Sequence, residues 1–161
     1  MRGRRLSGPR WLRLLRGRLV WLLMVLVLGP ALVDGMIGLR QKLRDDGETC
    51  RIVQVVDGDT VTLWCDGTST ARARLTGFDA PELFSPECFS ELVAAQKSKW
   101  ALRWMLLRAA DLRMQRQGTD RYGRSLIALS DGANPLAGLM IAAGQGRAYD
   151  RGRRGGWCEG G

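Results

Sequence analysis

Residues 19–33 (LVWLLMVLVLGPALV) carry no charge, and seven arginines precede them within the first 18 residues. All 16 acidic residues lie beyond this run, the first being Asp34. An apolar stretch behind arginines alone reads as a membrane-directing segment, because basic residues stay on the cytoplasmic side. Residues 1–18 are therefore read as a basic cytoplasmic n-region and residues 19–39 as a hydrophobic segment. Two devices fit. A cleaved signal peptide has a short apolar core followed by a small-x-small cleavage site. Neither Ala31–Val33 nor Val33–Gly35 makes a good one. A signal anchor needs about 20 mostly apolar residues, which Leu19–Leu39 supplies if Asp34 is tolerated near the exit end. The anchor is the favoured expectation, and a secreted protein follows if the segment is cleaved. Either device puts residues 40–161 outside the cytoplasm. A third reading, a buried core helix, fits poorly behind seven arginines.

The net charge of +9 is consequently a weak guide to partners. With seven of the 25 basic residues ahead of the apolar run, 18 remain against 16 acids, a net of +2 for residues 34–161. Any grip on a polyanion must come from a local patch. About 128 residues remain after the run, enough for one small core.

All four cysteines, Cys50, Cys65, Cys88 and Cys158, also lie beyond the run. An even number in an exported small domain suggests two disulfides, and no CxxC pair argues for zinc. Three connectivities are possible, beside the alternative of four free thiols. If Asp57 and Gly58 centre a hairpin, Cys50 and Cys65 become near cross-strand neighbours, within disulfide reach. Cys88 and Cys158 then pair by default.

Residues 40–49 read as a polar linker. From Arg51 β-branched residues dominate through Val56, DGDT breaks the run, and Val61–Trp64 resumes it, which predicts a β-hairpin. Asp66 and Gly67 turn the chain again, and Ala71–Leu75 alternates apolar residues with arginine, giving a third strand. TGFDAPELFSPECFS, with two prolines, reads as a loop. Residues 90–110 lack Gly and Pro and predict a helix with Ser90 as N-cap. In it Leu92, Ala95, Leu102, Leu106 and Ala109 follow helical spacing, while Trp100 and Trp104 read as packing residues. Short strands follow at Leu112–Met114 and Arg124–Leu129. Asn134 as N-cap and Pro135 at the first helical position predict a second helix to about Ala143. Residues 151–161 form a Gly- and Arg-rich tail without periodicity. The fold class is α+β: a five-stranded, OB-fold-like β-barrel with two or three helices, behind an N-terminal hydrophobic helix.

The chain has no histidine. That excludes Ser-His catalysis, histidine general bases and histidine-ligated zinc. Hydrolytic chemistry would have to use carboxylates, arginines and a hard cation. The acids are grouped suitably: Asp57 and Asp59 in DGDT, Asp79 and Glu82 in DAPE. Oxygen-only ligands select Ca²⁺ or Mg²⁺ over soft metals. Arg74 lies on the third strand and Arg124 in TDRYGRSLIAL. A guanidinium keeps its charge and can hold a phosphate through two parallel hydrogen bonds.

VVDGDTVTL, RARLTGFDAPE, TDRYGRSLIAL and GQGRAY, in this order and spacing, resemble the thermonuclease (staphylococcal nuclease-like) family. The resemblance covers about residues 50–150 and implies a Ca²⁺-dependent nuclease of low sequence specificity acting on DNA and RNA. Single-stranded or denatured substrate is expected, and the products would carry 3′-phosphates. By the same resemblance, Asp59, Asp79 and the backbone carbonyl of Ala80 would ligate Ca²⁺, with Asp57 as a supporting acid. Glu82 would activate or orient water, and Arg74 and Arg124 would clamp the phosphate as catalytic groups. Arg121 and Tyr122 would contact a terminal phosphate, and Tyr149 would line the nucleotide site. The protein is expected to act as a monomer. The chain departs from the family in its short Glu82–Glu91 loop, which has no lysine cluster, and in a tail too short for a long terminal helix. The rival reading is a non-catalytic nucleic-acid-binding module tethered to the membrane.

Overall fold

The computed structural model describes residues 10–45, 48–66, 69–149 and 156–158. Contacts divide the chain into two units, one ending at Leu32 and the other starting at Val33. Helix α1 (Arg10–Arg40) runs through this boundary. Its segment Gly17–Arg40 is long and apolar enough, by length and composition, to cross a membrane. Every side chain from Leu19 to Leu28 is about half exposed or more. Over this stretch the helix is apolar and exposed all round, which is compatible with a membrane anchor or a signal sequence.

The second unit is built on a curled mixed sheet, a half-barrel. Its strands are β1 (Leu43–Asp45), β2 (Glu48–Val55), β3 (Thr60–Cys65), β4 (Ser69–Leu75), β6 (Leu112–Thr119) and β7 (Ser125–Asp131), with the two-residue β8 (Asn134–Pro135) beside β7. The order is β1-β2-β3-β4-β7-β6, and β1 lies close to β6. The first four strands form an antiparallel meander, and β4 then pairs with β7 in parallel. Helix α2 (Phe89–Arg108) and the short α3 (Leu136–Ala142) pack on this sheet. A small second sheet pairs β5 (Gly77–Asp79) with β9 (Arg147–Tyr149). Between sheet and helices lie Ile52, Leu75, Phe78, Leu102, Leu106, Ile127, Leu136 and Met140, all essentially buried. Each large apolar side chain so buried contributes about 1.5–3 kcal/mol.

The expected strands and long helix are present, in an α+β fold consistent with the OB type. The α2 residues chosen by helical spacing face inward, apart from the half-buried Leu92. Several boundaries differ. The stretch 40–49 is not a linker: it holds β1 and the start of β2, and Gln41 is buried with its amide donating to the carbonyls of Leu106 and Ala109. The domain reaches back to Val33. Ile37 is fully buried, and Asp34 forms a bidentate, buried pair with Arg103 of α2 at 2.8 and 3.0 Å. Asp34 therefore marks the start of a folded domain as well as the end of an apolar run.

Helix α2 starts one residue before Ser90, with Cys88 as N-cap, and ends at Arg108. Ser90 instead bonds its hydroxyl to Cys88 Sγ. Asn134 and Pro135 pair with β7, so α3 begins at Leu136 with Pro135 as its N-cap. Trp104 is half exposed beneath Arg108, because it sits on the opposite side of α2 from the Ala95–Ser98–Leu102–Leu106 stripe. The loop expected at TGFDAPE contains β5, which pairs with the distant β9.

Both disulfides have the favoured connectivity, Cys50–Cys65 and Cys88–Cys158. Cys50 faces Cys65 across the β2–β3 ladder. A bulge near Val53 then shifts the register, which leaves Val53 and Gln54 both exposed. Residues 151–155 and 159–161 of the tail lie outside the described residues. Gly156–Cys158 has no regular element, as expected.

Candidate active site

Two acidic segments meet because two glycines permit close approach. The DGDT turn closes with the amides of Val56 and Asp57 both donating to the carbonyl of Thr60. A Cβ on Gly58 would lie 2.8 Å from the Ala80 side chain and 2.9 Å from Ser98 Cβ, so only glycine fits between the DAPE segment and α2. Ser98 donates to the carbonyl of Gln145 at 2.7 Å, drawing the GQGR segment in. There a Cβ on Gly146 would run into the Phe78 ring at 2.6 Å.

Within this frame Asp57 Oδ1 accepts the Asp59 amide at 3.1 Å, and Thr60 donates its hydroxyl to Asp59 Oδ1 at 2.8 Å. The β3–β4 register sets Thr60 opposite Arg74. Arg74 Nη2 then bonds Asp59 Oδ2 directly and reaches Asp79 Oδ1 at 3.3 Å. One guanidinium nitrogen thus bridges two buried aspartates. Asp59 is pushed up to about 7, first by burial and then by the charge of Asp57. The pull of Arg74 and the Thr60 hydrogen bond only partly offset this. A carboxyl that takes up a proton near neutral pH is short of positive charge. Oxygen-only carboxylates so placed suit a hard dication. Among the described residues, two groups of three clustered ligand-type residues, Glu48/Cys50/Cys65 and Cys88/Glu91/Cys158, consist mainly of disulfide sulfurs and suit no hard cation.

Arg74 also lines an open cleft, together with Glu82, Arg121, Tyr122, Arg124 and Tyr149. The cleft encloses about 2080 Å³, well beyond the roughly 300–1,000 Å³ of a small-molecule pocket. The sequence-derived residues therefore gather in two connected places. Asp57, Asp59, Asp79 and Ala80 sit at the acid cluster, the others line the cleft, and Arg74 belongs to both.

Three supports were not anticipated. Asp120 accepts the amides of Tyr122 and Arg124 at 2.9 Å and Arg124 Nε at 2.7 Å. Burial would raise the Asp120 carboxyl, but these bonds outweigh it and lower its pKa. Arg121 and Arg124 both lie over the Tyr122 ring, at 4.8 and 5.6 Å. The D-x-x-G turn pattern of Asp120–Gly123 was the available signal. Buried Glu91 accepts the amides of Glu82 at 3.1 Å and Glu87 at 2.7 Å, which fixes the loop that carries Glu82. Its position three residues after the N-cap is that of a capping-box glutamate. The third support, Trp157 with Nε1 at 3.5 Å from Asp79 Oδ2, has no local sequence signal.

The α+β half-barrel is consistent with a thermonuclease-like domain. A Haemophilus influenzae protein described as an uncharacterized endonuclease is 34% identical over 101 residues, covering 63% of this chain and 52% of that protein. Thermonucleases of Staphylococcus hyicus and Staphylococcus intermedius are 30% identical over 79 residues and 31% over 80, covering 46% and 47% of their lengths. No protein-family model matches the chain. The chain spans about half the length of these curated relatives. Together they support a thermonuclease-like family for it.

Proposed function

We propose that the protein is a Ca²⁺-dependent nuclease that hydrolyses phosphodiester bonds of DNA and RNA with low sequence specificity. The observation that carries this reading is Arg74, shared between two aspartates and a cleft lined by Glu82 and Arg124. Asp59, Asp79 and the Ala80 carbonyl would hold the cation, with Asp57 supporting them. Bound there, the cation would supply Lewis-acid stabilisation of a phosphate oxygen. Arg74 and Arg124 neutralise charge that grows on the phosphate in the transition state. Asp120 holds Arg124 by Nε for this task. Glu82 orients a water and accepts its proton, on a loop fixed by Glu91. Arg121 and Tyr122 contact a terminal phosphate, and Tyr149 lines the nucleotide site. Contacts that address backbone rather than base edges explain low specificity. Cleavage leaves 3′-phosphates, and flexible single strands enter the cleft most readily.

The domain works outside the cytoplasm as a monomer, held by α1 as an uncleaved anchor. The integration of Asp34 and Ile37 into the domain supports this, since cleavage beyond them would strip buried Arg103 of its partner.

The test incubates the full chain in detergent with denatured DNA and Ca²⁺, with and without EGTA, beside Glu82→Ala and Arg124→Ala. Cleavage should require Ca²⁺ and fall about 100-fold or more in either variant. Binding without Ca²⁺-dependent cleavage would favour the non-catalytic module instead.

A further inference from the structure

We propose that the disulfide-pinned segment Gly156–Cys158 supports the cation site, with Trp157 as the positioning residue for Asp79. The inference rests on the metal-binding reading above and adds a partner to it. Four contacts converge on the segment. The Cys88–Cys158 disulfide fastens it to the N-cap of α2, across a sequence separation of 70 residues. Arg147, opposite Asp79 in the β5–β9 ladder, donates Nη1 to the Gly156 carbonyl at 2.6 Å. The same guanidinium lies 4.1 Å over the Trp157 ring. Trp157 Nε1 then reaches Asp79 Oδ2 at 3.5 Å.

Asp79 is thus held from two sides, by Arg74 at Oδ1 and by Trp157 at Oδ2. An ionised carboxylate oxygen has two lone pairs, so Oδ2 can accept the indole hydrogen and still face a cation. Indole Nε1–H only donates and cannot itself become a ligand. It acts by fixing the direction of the carboxylate. Outer partners of this kind typically account for about 10–100-fold in metal affinity. The disulfide ties the segment to α2. An oxidising compartment would preserve it, so cation affinity and oxidation state are linked through one segment.

Tb³⁺ in place of Ca²⁺ tests this without reference to cleavage. The full chain in detergent micelles is titrated with Tb³⁺, exciting the indoles and reading lanthanide emission, with Ca²⁺ as competitor. Direct excitation of Tb³⁺ gives its affinity independently. Trp157→Phe should remove most of the sensitised emission and weaken affinity about 10-fold or more. The paired Cys88→Ser/Cys158→Ser variant, which keeps the indole but frees the segment, should lose both signals as well. Sensitised emission and affinity unchanged in Trp157→Phe would overturn the proposal, as would unchanged values in the paired variant. Asp79→Asn separates the two readings. Should Tb³⁺ binding be indifferent to Asp79, the cation site itself fails and this inference falls with it. Should binding depend on Asp79 but not on Trp157, only the support role fails.

Discussion

Among the described residues, two arginine–aspartate clusters are built on different principles. At one, Arg103 meets a single acid, Asp34, through two parallel hydrogen bonds, and Nη2 also reaches the Val55 carbonyl at 3.4 Å. Charge and donors are matched there. At the other, Arg74 offers one nitrogen to both Asp59 and Asp79, with Asp57 adding its charge to Asp59. There one guanidinium nitrogen is shared between two carboxylates. A bidentate pair serves as a strut between α1 and α2. A shared one, with Asp59 raised to about 7, is poised to take up a proton or a cation. Residue type is alike in the two, but Arg103 is buried whereas Arg74 also lines the open cleft, and its access to that cleft and the sharing of its guanidinium separate site from strut.

Breaking the strut should produce the largest effect on stability. Arg103→Met leaves Asp34 buried without its partner and should cost about 3–5 kcal/mol. Urea denaturation of the full chain, followed by the fluorescence of its tryptophans, would measure it. Adding Asp34→Leu should recover most of the loss, because two apolar groups need no pairing. If the single variant unfolds like the parent, the pair is no strut and the contrast collapses.

At the site the same kind of deletion should act the other way. Asp59→Asn removes charge from a place that has too much of it. Ca²⁺-dependent cleavage should fall about 100-fold or more, while the cation-free protein becomes no less stable. The pH dependence gives the sign. Asp59 is raised from 3.8 to about 7 in the folded protein. The folded state therefore binds the extra proton. Stability from this group is fully present below about pH 3.8 and is lost as pH rises through about 7. The stability difference between the parent and Asp59→Asn, followed across that window without Ca²⁺, should move steadily in favour of the variant. Saturating Ca²⁺ should abolish the trend and expel a proton on binding. A flat difference would show that the cluster is balanced after all.

The two clusters were not equally legible in the sequence. The site could be read because DGDT, DAPE and TDRYGR announce themselves locally, through turn residues and grouped acids, and because β-alternation fixed the register that carries Arg74. The Cys50–Cys65 pairing followed from the same hairpin. The strut could not be read. Asp34 and Arg103 are 69 residues apart, and Asp34 sits at the end of a run whose apolar character dominated the reading. Nothing local reveals that a polar stretch such as QKLRDD will supply an edge strand and a buried Gln41. The β5–β9 pair was equally hidden, since three-residue strands leave no periodicity and their partner lies near the far end of the chain. Trp157 and Glu91 belong to this class. They are supports chosen by tertiary position, whereas the groups they support are chosen by chemistry.

Each cluster also has a glycine beside its aspartate, and these give the finest test. Gly35 follows Asp34 in α1, and a Cβ there would meet nothing within 4 Å. Gly58 precedes Asp59, and a Cβ there would meet Ala80 and Ser98 inside 3.0 Å. Gly35→Ala should therefore be neutral or gain up to about 1 kcal/mol from helix propensity. Gly58→Ala must push the DGDT turn away from α2 and the Ala80 segment, at about 1–3 kcal/mol for overpacking. Its effect on the site should exceed its effect on the fold, because the displaced turn carries Asp59 while the sheet beneath it can stay in place. Ca²⁺ affinity, measured by calorimetry on both variants under conditions where each is fully folded, should fall in Gly58→Ala and hold in Gly35→Ala. Equal affinities would mean that close approach at Gly58 serves packing alone, and that the acid pair does not depend on the turn being pressed against its neighbours.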